Sequence, residues 1–446
     1  MQINDGSTAI AKEQHHPRRL WEVDVGRGLT VAAMIVFNLQ FKDESTFAQL
    51  RHPPFLGLTA ADFVFPNFLF LSGMSIPLAL RHHASTYRRW KRAAALSEAS
   101  REEPPPEPLS SRPSHLVPKF LKRSASHFAL GLVLFNTSYS SDIHRTLAEW
   151  RFMGVLQRHA IVGLVCAAWY LAPGGPYEDN WDDRNDESSQ TPPPPPSMRL
   201  VHAMQSLFRS LRRPVTYMLL WTFLTYRFPH STLPEPSPSL LLDPNRLKEP
   251  SETAAYLIDT IVLGRLHTYR GAGLDPEGLL STLPAFFSCW LGVLYGESIG
   301  ARTTRDKEPT LHTLLRRLEP PTALLAASLI LNRGLGIPFS KPLWTPPFAF
   351  VTGAASWTLF EGLSVLGDAY GLRNTNPPIL SSLARQPLTA YVFSSVCPKL
   401  LSLVPLGNGS VLDSIKALFN VFPPGWDGVA WGCAWTVVTA AVVGLA

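Results

Sequence analysis

Two side chains near the start of the chain have the chemistry for group transfer. His52 lies in the polar stretch LRHPPFLGLT, and Asn38 ends the apolar segment before it. Imidazole changes charge near working pH and takes a proton from an attacking amine or hydroxyl. A carboxamide offers two N–H donors that steady an oxyanion. The plainer readings, a loop histidine bonded to backbone and an asparagine that caps a helix, use the same residues. Further charged groups sit where burial is expensive. Asp24 and Arg27 in VDVGRG share one helix face at i and i+3 and can pair. Arg151 and Arg158 bracket RFMGVLQR, and Arg158 lies deep enough in an apolar segment to need an anionic partner, a carboxylate or a ligand phosphate. Asp275 and Glu277 in DPEG fit a helix-start turn with Pro276 at the first helical position. Asp62 is the single charge at the head of an otherwise apolar run, and His82 and His83 fall in a basic, solvated stretch.

The elements that must position these groups are membrane-length helices. Residues 60–80 form an apolar run of about 20 residues, the length that crosses a hydrocarbon core roughly 30 Å thick. The preceding span must begin early and carry Asp24 and Arg27 into the membrane, so 19–80 reads as helix, loop, helix with His52 in the loop. Further spans are expected at 120–136, 152–171, 214–228, 279–299, 321–331, 344–366, 379–404 and 425–445. The fold class is therefore all-α, a polytopic membrane protein with about ten transmembrane helices. Residues 1–18 are expected to be a disordered cytosolic N-terminus without a cleavable signal, the first span serving for insertion. Residues 19–446 form one transmembrane domain interrupted by flexible loops at 82–118 and 173–200, the second holding EDNWDDRNDE and a polyproline tract. With the N-terminus in the cytosol, lysine and arginine favour the cytosolic side by about two to one. His52 and Asn38 then face away from the cytosol.

Composition narrows the function classes. The chain has 446 residues, 46% hydrophobic and 17% charged, with charge concentrated between the apolar runs. A net charge of +6 carried mainly by loops on one side calls for no nucleic acid. Cys166, Cys289, Cys397 and Cys433 all fall in apolar segments, with neither disulfide nor metal-ligand spacing, and no metal is expected. Phosphate loops, HExxH and paired CxxC motifs are all missing.

Several stretches taken together carry a family resemblance. RLWEVDVGRG, the Asn38 to His52 spacing, GLTAADFVFPNFLFLSGMSI, RFMGVLQR, IDTIVLGRLHTY, DPEGLLSTLP and SKPLWTPPFAF occur in that order. The combination resembles the transmembrane domain of the heparan-alpha-glucosaminide N-acetyltransferase-like family, starting at Arg19, so that family's lumenal N-terminal domain is expected to be absent. The resemblance implies a multi-span N-acetyltransferase of an endomembrane, lysosome-, vacuole- or ER-like. It would move acetyl from cytosolic acetyl-CoA to an amine, an amino sugar or similar, on the lumenal side. His52 would be the catalytic histidine, as general base or transient acetyl carrier, and Asn38 the active-site asparagine. Arg158, Arg151 and Arg27, with the basic 81–92 stretch, are the candidates for holding acetyl-CoA. Asp24, Asp62, Asp275 and Glu277 take supporting roles, and a homodimer is a family expectation. The rival readings are a multi-span transporter of a small anionic or sugar substrate, prompted by the charges at depth, and a catalytically inactive relative.

Overall fold

A computed structural model describes residues 20–41, 44–101, 103–134, 143–178, 196–227, 242–302, 311–407 and 409–445. These residues are mostly helical, with one two-stranded hairpin, Pro405–Leu406 against Gly409–Ser410. The helices in chain order are α1 (Trp21–Asn38), α2 (Val64–Ser100), α3 (Pro113–Leu134), α4 (Ile143–Ala148), α5 (Val155–Leu171), α6 (Pro196–Arg227) and α7 (Ala254–Val262). They continue with α8 (Leu279–Arg302), α9 (Leu311–Leu329), α10 (Pro346–Ala369), α11 (Pro378–Arg385), α12 (Pro387–Leu403), α13 (Val411–Ala417) and α14 (Trp426–Leu445).

The all-α expectation holds, and the count of ten spans does not follow from the described residues. Four segments there are long and apolar enough to cross a membrane: Ala60–Ser100, Leu279–Gly300, Pro346–Ala369 and Trp426–Leu445, with Val155–Leu171 shorter. Helix α1 has Glu22, Asp24 and Arg27 in its first two turns, which lowers its apolar content. The expected span over 379–404 is two helices, broken at Gln386 because Pro387 follows it and disfavours helical backbone in the residue before.

The first expected flexible loop, 82–118, is largely helical. Helix α2 runs through RHHASTYRRWKRAAALSEAS to Ser100, a stretch without glycine or proline and rich in good helix formers. It stops at Arg101, whose φ of 59° is left-handed, and the prolines beyond are tied back by a Trp90 Nε1–H bond to the Pro105 carbonyl at 2.9 Å. Most of the second expected loop lies outside the described residues, and α6 begins at Pro196, well before the span expected at 214.

The bundle packs as two groups. Helices α2, α5, α8 and α10 enclose an aromatic-rich core that includes Phe70, Trp290, Tyr295, Phe348 and Phe360. Helices α1, α12 and α14 close around Val31, Ile35, Ala390, Trp431 and Trp435. Within the first group α2 and α8 run in the same direction and touch backbone to backbone at Gly73, Gly292 and Gly296. The heads of α2, α5 and α8 consequently lie at one end of the bundle.

Candidate active site

Asn38 is the last residue of α1, and the chain turns there with Leu39 N–H on the Ile35 carbonyl at 3.1 Å. The following segment returns to a 3₁₀ turn, Ala60–Phe63, that leads into α2. Thr59 and Asp62 form a capping box at this turn, which explains the lone acid at the head of an apolar run. The fully buried Asp62 carboxylate serves two purposes. Its Oδ2 accepts from the Thr59 N–H at 3.0 Å and the Thr59 hydroxyl at 3.1 Å, while Oδ1 lies 2.7 Å from His52 Nδ1. The hydrogen bond assigns the proton to Nδ1 and leaves Nε2 as the basic nitrogen. The His52 side chain is 46% exposed, so it is anchored on one edge and open on the other.

A third residue completes this cluster. Lys341 Nζ lies 3.3 Å from His52 Nε2, 3.5 Å from Nδ1 and 3.9 Å from Asp62 Oδ1. Its loop is pinned to the histidine loop by Ser340 Oγ–H donating to the Phe55 carbonyl and Gly57 N–H donating to the Phe339 carbonyl, at 2.9 and 2.8 Å. Trp344, buried with a left-handed φ of 51°, closes the same turn and donates its indole N–H to Ser288 Oγ at 3.1 Å.

His52 and Asn38 line one cavity of about 1010 Å³. Its far wall comes from α12 through Tyr391, Ser394, Ser395 and Lys399, and Tyr269 closes one side. A cavity of this size holds a substrate larger than a single sugar.

Next to it, behind Tyr269, lies a second charged cluster. Arg151 donates to Asp275 Oδ2 and Oδ1 at 2.8 and 2.5 Å and to Glu277 Oε2 at 2.6 Å, and its guanidinium lies 4.9 Å from the centre of the Tyr269 ring. Burial raises the Glu277 carboxyl, but Arg151 and its other cationic neighbours outweigh that and hold it below the usual range. Arg158 is fully buried, donates to Ser281 Oγ and the Gly278 carbonyl, and stacks 5.1 Å from the Trp344 ring centre. Asp259 of α7 accepts from the Leu279 and Asp275 N–H groups at 2.9 and 3.1 Å, capping the head of α8. Removing Arg151 strands two buried carboxylates. The Arg151→Ala variant is therefore expected to lose about 3–5 kcal/mol of stability, to be read as a lowered thermal midpoint in detergent; an unchanged midpoint would show that the cluster is not structural.

The structure thus brings His52 and Asn38 to one cavity, with Asp62 buried against His52, and sets Arg151, Arg158, Asp275 and Glu277 beside it. Arg27 and Asp24 stand apart. They pair with each other at 3.3 Å, Arg27 also reaching the Ala384 carbonyl, about 16 Å of helix rise from Asn38. Lys341 and the α12 face were not singled out from sequence. Lys341 falls within SKPLWTPPFAF, and the polar positions 391, 394, 395, 399 and 402 recur at helical spacing along an apolar segment, which is a readable signal.

Membrane-length apolar helices, with the His52–Asp62–Lys341 cluster at one end of the bundle, define a helical membrane protein. Residues 19–173 match the family model described as heparan-alpha-glucosaminide N-acetyltransferase, catalytic. The heparan-alpha-glucosaminide N-acetyltransferase of Homo sapiens is 25% identical over 368 residues, covering 77% of this chain and 48% of that protein. That of Mus musculus is 25% identical over 376 residues, covering 80% and 51%. Over residues 19–173 the chain is thus similar to the catalytic region of the heparan-alpha-glucosaminide N-acetyltransferases, as the sequence motifs indicate, and it spans about half the length of these curated relatives.

Proposed function

We propose that the chain is a transmembrane N-acetyltransferase that passes the acetyl group of acetyl-CoA to an amine, with an amino sugar as the acceptor class. The observation that carries this reading is that His52, anchored by buried Asp62 at 2.7 Å, shares one cavity with Asn38. The proton on Nδ1 is fixed by Asp62, so Nε2 takes a proton from the acceptor nitrogen as it attacks the thioester carbonyl. Asn38 donates to the oxygen that becomes negative. The proton leaves with the thiol, and the carbon–sulfur bond breaks as the amide forms. Hydroxyl, amide and aromatic groups on the cavity wall, Ser394, Ser395 and Tyr391 among them, suit a polyhydroxylated acceptor.

The donor side follows from α2. Arg81 lies about 28 Å of helix rise from Asp62, at the opposite end of the bundle. This is longer than an extended pantetheine arm. The nucleotide end of acetyl-CoA must then enter between the helices, rather than rest on the basic 81–92 surface, for its acetyl group to meet His52. Arg151 is engaged by Asp275 and Glu277 at the His52 end, so it serves as a structural group in this reading.

The test uses the full chain in proteoliposomes with acetyl-CoA on one face and glucosamine on the other. Labelled N-acetylglucosamine appearing on the acceptor side is the expected result. Glucosamine accumulating inside without acetylation would replace this reading with the transporter, and label trapped on His52 under single-turnover conditions would assign the route through an acetyl-histidine.

A further inference from the structure

The His52 ring contacts two opposite charges that also pair with each other at 3.9 Å. Asp62 Oδ1 lies 2.7 Å from Nδ1, and Lys341 Nζ lies 3.3 and 3.5 Å from the two ring nitrogens. Because Nζ is nearly equidistant from both, its charge bears on the ring as a whole. Asp62 favours the imidazolium and Lys341 opposes it. We propose that Lys341 is a positioning residue whose ammonium, set beside the ring and its Asp62 partner, opposes the charging of His52 and keeps it able to accept a proton. This rests on the acetyltransferase reading and assigns the regulation of its base.

The surroundings support a fixed cation there. Lys341 is only 17% exposed, and its loop is tied to the histidine loop through Ser340 and Gly57. Burial pushes the Lys341 amine below its ordinary value, while Glu277 and Asp62 oppose that and favour the ammonium. Arg158, the other cation near Lys341, is stacked on Trp344 in the same turn. On the cavity side the charged and titratable groups are Glu44, Arg51, Tyr269, Tyr391 and Lys399, and none of them has a hydrogen bond or ion pair with the His52 ring among those described. Asp62 and Lys341 are therefore the pair in direct contact with it. During transfer the proton moves from the acceptor nitrogen to Nε2 and on to the departing thiol, and Lys341 keeps its own protons throughout. Its charge hastens the return of His52 to the neutral form.

Two readouts separate this idea from the reading it rests on. The first is the pH profile of acetyl transfer. The second is the pH dependence of ethoxycarbonylation of His52 by diethyl pyrocarbonate, read by peptide mass spectrometry, which follows the uncharged imidazole whether or not the protein is an enzyme. In Lys341→Met and Lys341→Gln the acidic limb of both profiles is expected to move up by about one pH unit or more, and Lys341→Arg is expected to restore it. A purely structural lysine would lower activity and leave both limbs in place. An unmoved ethoxycarbonylation limb in both neutral variants overturns the proposal. A moved limb in a protein that transfers no acetyl group upholds the charge relation and sinks the acetyltransferase reading.

Discussion

Acetyl transfer by His52→Ala is expected to fall by about 10³-fold in kcat, within the 10²–10⁴ that a positioned general base supplies. The fold should survive the change. His52 is half-exposed, and the turn that starts α2 is held by Thr59 and Asp62 without it. A His52→Ala protein with normal thermal stability and full transfer would remove this residue from the chemistry and the proposed mechanism with it. Asp62→Asn sharpens the assignment. The asparagine carbonyl can still accept the Thr59 N–H at 3.0 Å, so the helix cap persists. Its amide nitrogen then faces His52 Nδ1 and donates to it, which moves the ring proton to Nε2. Nε2 is the nitrogen that must be free. Asp62→Asn is therefore expected to lose about 10²-fold in kcat with little change in KM, because it alters the tautomer and not the cavity. If both variants lost activity only in proportion to lost folded protein, His52 and Asp62 would be structural.

How much of this was legible in the sequence depended on whether contacts were local. Asn38, His52 and Asp62 lie within 25 residues, on one helix–loop–helix, and their types alone suggested chemistry at a surface. Lys341 meets them across a separation of 289 residues, through a loop whose docking rests on the Ser340 hydroxyl donating to the Phe55 carbonyl and Gly57 N–H donating to the Phe339 carbonyl, which no sequence pattern announces. Asp275 and Glu277 read as a helix start, and they do lie just ahead of α8. The cap itself is Asp259, and the two acids bind Arg151, a pairing that depends on α5 and α8 being neighbours. The basic stretch that forms the second half of α2 reads as a loop because its charge masks a run without glycine or proline in which good helix formers predominate. Span counting met a different difficulty. Charge within α1 and the break at Gln386–Pro387 divide what a window of hydropathy joins, or join what it divides.

The second large effect is expected away from the charged site, at Gly73 and Gly292. A Cβ at Gly73 would stand 1.8 Å from the Cys289 carbonyl oxygen, and one at Gly292 would stand 1.9 Å from that of Phe70. Both obstacles are backbone, so no side-chain rotation relieves them; the helices would have to separate along a seam that also includes Gly296 against Met74. Close packing of this kind is what holds helices together where the surrounding lipid is as apolar as the side chains. Gly73→Ala and Gly292→Ala are each expected to destabilise by about 3 kcal/mol or more, with the double variant failing to give a monodisperse peak in detergent. Gly362→Ala in α10 is the control. Nothing lies within 4 Å of its Cβ position, and it should be neutral or gain up to about 1 kcal/mol from helix propensity. The seam also bears on the site. Helix α2 begins beside Asp62, and α8 begins just after Glu277, the two acids that flank Lys341. Spreading the helices would pull these acids apart and move the cation from the His52 ring. Any folded fraction of Gly292→Ala should accordingly show the raised acidic limb expected of Lys341→Met. A folded Gly292→Ala with wild-type stability and an unmoved limb would mean that the two helices yield freely and do not set the spacing of the charges.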